Sequence, residues 1–84
     1  MATMLRVRQV LAKLGKTRSP FYADIKDGTF TRAVKLGPRA AGWPEHEAEA
    51  IVNARIAGHS DDQIRKLVQR LHEQRKTAAT PVKV

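Results

Sequence analysis

The apolar positions recur in groups whose spacing names the elements. Val7, Val10, Leu11 and Leu14 stand at i, i+3, i+4 and i+7, which lines one stripe of a 3.6-residue helix. A first short helix is therefore predicted over Arg8–Leu14. Gly15 follows at once and closes it, since glycine enters the left-handed conformation without a Cβ penalty. A second helix carries Phe21 and Ile25 four residues apart on one face. Thr17 is placed to cap it through its hydroxyl, Pro20 is tolerated in its first turn, and it ends at Asp27 before Gly28. Only Gly15-Lys16-Thr17 separates the two helices, a turn length used both by helix-turn-helix units and by ordinary helical hairpins.

Thr31–Leu36 has the alternation and β-branched content of a strand, Gly37-Pro38-Arg39 supplies turn chemistry, and Ala40–Trp43 returns antiparallel. This hairpin has a basic tip. Val34 and Leu36 share a face by the period of two, Arg32 and Lys35 are of mixed facing, and Lys35 and Arg39 are the candidates to meet phosphate. Trp43, the single tryptophan, is assigned to the core. Pro44 opens a third helix in which Glu45, Glu47 and Glu49 complement the N-terminal dipole and Ala48, Ile51, Val52 and Ile56 form the apolar stripe. Its acid excess marks it as scaffold facing away from any polyanion. Gly58 breaks the chain, Ser60 with Gln63 has the form of a capping box, and Ile64, Leu67, Val68 and Leu71 define a fourth helix over Asp61–Arg75. That stripe can pack on the domain or on a second copy. Thr77–Val84, with Pro81, shows no periodicity and is expected to be a disordered tail. The fold class is mainly α with a small β-hairpin.

Composition adds a partner to this outline. The chain has 84 residues, room for one modest core, and no cysteine to support it by disulfide or thiolate–metal bonds. The net charge is +8, and it is segregated. Residues 1–40 hold nine basic and two acidic side chains, residues 41–62 one and five, and residues 63–84 six and one. A solubility charge would be interspersed, so this arrangement implies a binding face for a polyanion, backed by a non-binding segment. No apolar run approaches the roughly 20 residues that span a bilayer, and the first residues lack a signal-peptide pattern, so the expected location is cytoplasmic and nucleoid-associated.

Chemistry-bearing constellations are missing. His46, His59 and His72 stand 13 residues apart, too far for a helical metal site, and no glycine-rich phosphate loop or paired acid and base occurs. Ser19 and Ser60 have no activating partner, and the pair Asp61 and Asp62 is explained by its place in a first helical turn. No enzyme activity, cofactor, metal, small-molecule substrate or membrane association is expected.

The order of short helix, three-residue turn, helix, basic hairpin with Lys35-Leu36-Gly37-Pro38-Arg39, and Gly42-Trp43 leading into an acidic helix resembles the AlpA family of phage-type regulators. The segment Ile25-Lys26-Asp27-Gly28 with Phe30 and the hairpin Val34–Trp43 carry the resemblance, which extends from Leu5 to Ala57. It differs from the family pattern at Thr17-Arg18-Ser19-Pro20-Phe21-Tyr22, where Pro20 stands in the second helix. The family is similar to the DNA-binding domain of MerR regulators and to excisionases, which implies a winged helix-turn-helix over 1–57, an added C-terminal helix over 58–76 and the tail 77–84.

On this basis the second helix is the expected reader of double-stranded DNA, with Thr17, Arg18, Ser19, Tyr22 and Lys26 away from its Phe21–Ile25 face. Arg18 is the candidate for a guanine edge, with a phosphate contact the equal alternative, and Lys35 and Arg39 of the wing are the candidates for the backbone. The stripe Ile64, Leu67, Val68 and Leu71 leaves a homodimer or cooperative assembly on DNA open. The implied role is transcriptional regulation of a prophage or integrative element, or an excisionase-like recombination directionality factor. Two further classes compete: an RNA-binding module and an anti-repressor that works through protein contacts.

Overall fold

The computed structural model describes residues 3–79, in the order β1 (Met4–Leu5), α1 (Val7–Leu14), α2 (Arg18–Asp27), β2 (Val34–Gly37), β3 (Ala40–Pro44), α3 (Glu45–Ile56) and α4 (Asp61–Ala79). The chain is mainly helical, with a three-stranded antiparallel sheet in the order β1-β3-β2. Helix, three-residue turn, helix and hairpin follow one another as a winged helix-turn-helix requires.

Both predicted glycine stops are present: Gly15 (φ 68°) ends α1 and Gly28 (φ 87°) ends α2, each donating back into the last turn. Thr17 is the N-cap of α2, but its hydroxyl makes no capping bond, contrary to expectation. One of the two donors such a cap uses is missing. A cap oxygen accepts from the second or third helical N–H, and the third position is Pro20, which has no N–H.

The wing departs from simple alternation. Its first strand begins at Val34 rather than Thr31, because the polar backbone just before it is already committed elsewhere. Thr31 O accepts from Trp43 Nε1 at 2.9 Å, Arg32 N–H donates to His72 Nε2 at 3.2 Å, and Arg32 O accepts from Arg75 Nη2 at 2.7 Å. The register then shifts between Lys35 and Gly37, and Leu36 is left 43% exposed. The third strand, β1, carries no sequence signal in its two residues. It pairs Leu5 with Trp43 and Met4 with Pro44, and Thr3 O accepts the Glu45 N–H at 2.7 Å, capping α3 where Pro44 has no side-chain acceptor.

Phe21 lies at the centre of the core with its ring centroid 5.1 Å from both Phe30 and Trp43, in edge-on geometries that favour aromatic pairs. Leu5, Val10, Ala48 and Ile51 surround them, and Ile64, Val68 and Leu71 of α4 complete the same core, with half-buried Leu67 at its margin. The stripe of α3 is turned from its expected position. Glu47, Ala48, Ile51 and Ala54 are buried, whereas Ile56 is 78% exposed, because α3 points Glu47 inward to Arg75. The Ser60–Gln63 capping box is formed in both directions, at 2.8 and 3.2 Å. α4 runs on to Ala79, so Thr77–Ala79 of the expected tail are helical, in keeping with the propensity of Ala78 and Ala79. Residues 80–84 of that tail lie outside the described residues.

Candidate nucleic-acid interface

Ion pairing sorts the charged side chains into two populations. All eight Asp and Glu residues are within an ion pair. Their partners are Lys13, Lys16, Arg55, Arg65, Arg75 and Lys76. Lys13 joins α1 to Glu45 and Glu49 of α3 at 3.8 Å each, and Lys16 of the turn reaches Asp24 on α2. The acids therefore neutralise the scaffold, and they leave a defined set of cations free. Among the described residues these are Arg6, Arg8, Arg18 and Lys26 on the helix-turn-helix, Arg32, Lys35 and Arg39 on the approach to the wing and the wing itself, and Lys66 with Arg70 one turn apart on α4.

The residues expected to contact DNA are placed as follows. Arg18, Tyr22 and Lys26 follow one another at intervals of four along α2, with Ser19 beside them and Thr17 at the cap, and all five are exposed. Phe21 is fully buried and Ile25 half-buried, so the remaining surface of the helix faces outward. Lys35 is exposed on β2, and Arg39 is exposed in the turn between β2 and β3. Arg18 is brought together with two arginines that the sequence did not single out. Arg6 and Arg8, at the start of α1, line one shallow depression with Arg18 and Gln9. Lys35 and Arg39 do not line this depression. They are tied to α2 through Phe21 against Trp43 and through residues 28–33. Charge alone flags Arg6 and Arg8; their separation from the other cations becomes visible only once every acid has a partner.

Four side chains behind this surface were also missed. Glu47 is 0% exposed and receives Arg75 Nε at 2.8 Å and Nη2 at 2.6 Å, a bidentate geometry that holds both groups in one orientation. His72 is half-buried and accepts the Arg32 N–H, so Nε2 is the unprotonated nitrogen. Burial, and then the guanidiniums of Arg32 and Arg75, hold this imidazole below its ordinary value, against a weaker opposing pull from Glu47. Arg65 bridges Asp62 on its own helix and Asp27 at the end of α2, donating to both the carboxylate and the carbonyl of Asp27. Apart from Arg65 with Asp62, these are pairings across 28 to 43 positions, beyond the reach of local pattern.

Residues 3–56 match the family described as Prophage CP4-57 regulatory protein (AlpA). A similar chain is the "Uncharacterized protein ORF88" of Enterobacteria phage P4, 39% identical over 54 residues. The match covers 64% of this chain and 61% of that relative. No solved structure matches. The whole of α4 lies beyond the matched residues.

Proposed function

The chain belongs to the AlpA family of phage-type regulatory proteins, and on that premise we propose that it is a sequence-specific double-stranded DNA-binding protein that regulates transcription of a prophage or integrative element. The observation that carries this reading is the sorting of charge. Every Asp and Glu side chain is paired with a cation of the scaffold, which leaves Arg6, Arg8, Arg18, Lys26, Arg32, Lys35 and Arg39 on the helix-turn-helix and wing to a polyanion, with Lys66 and Arg70 also free on α4. A helix fits the major groove, and a free Arg18 near the start of α2 suits both acceptors of a guanine edge, worth roughly 1–3 kcal/mol of discrimination. Thr17, Ser19, Tyr22 and Lys26 lie within reach of bases or phosphates on the same side, while Arg6, Arg8, Lys35 and Arg39 hold the flanking backbone. Phe21, Phe30 and Trp43 are buried, and Tyr22 is the one exposed ring among the Phe, Tyr and Trp residues. That is a poor platform for stacking unpaired bases and favours duplex DNA over single-stranded RNA.

Selection of bound sequences from random duplex DNA, with single-stranded RNA as competitor, tests the reading. A duplex motif is expected to enrich, and Arg18→Ala should relax it at one position. Preference for the RNA would move the protein to the RNA-binding class, and enrichment of neither would favour a protein-directed anti-repressor.

A further inference from the structure

The segment that joins α2 to β2, residues 28–33, is held at both ends by α4. Arg65 grips Asp27 at the end of α2 through Nε to the carbonyl at 3.1 Å and Nη2 to the carboxylate at 2.8 Å. At the other end of the connecting segment, just before β2, both backbone groups of Arg32 are held: its N–H by His72 Nε2 and its carbonyl by Arg75 Nη2. Arg75 is in turn locked by the buried carboxylate of Glu47. One rigid helix thus holds both ends of the segment that joins the reader helix to the wing.

We propose that α4 is a strap that sets the wing against α2, that Arg65, His72 and Arg75 are positioning residues for DNA binding, and that protonation of His72 releases the wing end. This rests on the DNA-binding reading above. The charged groups that face His72 are Arg32 from the connecting segment, Arg75 from its own helix and Glu47 from α3. A protonated Nε2 cannot accept the Arg32 N–H, and it adds a third positive charge beside two guanidiniums. Because the folded state holds this imidazole below its ordinary value, the contact's contribution is fully present above about pH 6.5 and is lost as pH falls from there through the lowered value.

The sign separates this device from ordinary electrostatics. Positive charge gained anywhere else on the surface strengthens binding to a polyanion. Release of the strap weakens it. For the full chain on its selected duplex, affinity should fall as pH is lowered below about 6.5, by roughly two- to tenfold once His72 is protonated, the worth of one hydrogen bond. His72→Gln keeps a carbonyl acceptor that does not titrate, so it should bind normally at the higher pH and show no fall. Wild-type affinity that is constant or rises on acidification overturns the proposal, as does a fall of equal size in His72→Gln. The Arg32 amide resonance is followed without DNA: if it does not respond to the titration of His72, the strap is overturned whatever the protein binds. If that amide responds but no duplex is bound at the higher pH, the DNA-binding reading fails, and the strap's role in binding fails with it.

Discussion

Arg75→Met would leave the Glu47 carboxylate without its counter-charge at a site that is 0% exposed. Both of the contacts it loses, at 2.6 and 2.8 Å, are charge-assisted. Removal of one member of a buried pair costs about 3–5 kcal/mol, because the other charge stays desolvated and uncompensated. A domain of this length has a total stability on the order of 4–13 kcal/mol, so the variant would lose a large share of it and melt roughly 10–40 °C lower. The double variant Glu47→Leu with Arg75→Met removes both charges and should recover most of that loss, since an apolar pair of similar volume is often neutral or better. It still lacks the bond from Arg75 to Arg32 O, worth about 1 kcal/mol. Urea unfolding followed by circular dichroism for the two single variants and the double gives the coupling energy directly. A cost below about 1 kcal/mol for Arg75→Met, or a double variant as unstable as the sum of the singles, would refute the reasoning.

Two further substitutions test the packing around the wing. Gly42→Ala would set a Cβ 2.9 Å from both Leu5 O and Leu36 Cδ1; Leu36 can move but the backbone of β1 cannot, so unfolding experiments should show a loss of about 1–3 kcal/mol. Thr31 is 0% exposed and its hydroxyl has no hydrogen-bond partner, so Thr31→Val should raise the urea midpoint by the equivalent of about 1 kcal/mol, and a lowered midpoint would contradict that account.

The legible part of the fold was the part written in local spacing. The stripes of α1 and α4, the glycine stops at Gly15 and Gly28 and the Ser60–Gln63 box depend on neighbours within seven positions and stand where the periodicity puts them. What local spacing could not supply came from long-range polar pairing. Glu47 reads as dipole complement for α3 and is one, yet its burial against Arg75 turns the helix and puts Ile56 outside. Thr31 and Arg32 have strand composition, but their backbone groups bond to Trp43, His72 and Arg75, so the strand starts later. β1 is too short to carry a period and exists because β3 offers it an edge. The same division holds for the site. Exposure of Thr17, Arg18, Ser19, Tyr22, Lys26, Lys35 and Arg39 followed from the face opposite Phe21 and from the hairpin turn, whereas Arg6 and Arg8 join Arg18 only through the crossing of α1 and α2.

The central claim is that the cations without carboxylate partners are the ones that meet phosphate. Binding isotherms on the selected duplex at several salt concentrations test it, with Arg8→Ala, Lys35→Ala and Arg39→Ala compared against Arg55→Ala, whose guanidinium is engaged by Asp61 at 2.8 Å. Each of the first three should lower the slope of log affinity against log salt by about 0.9, the release of one phosphate's condensed counterion, while Arg55→Ala should leave it unchanged. Unchanged slopes in all three, or an equal drop in Arg55→Ala, would contradict the account.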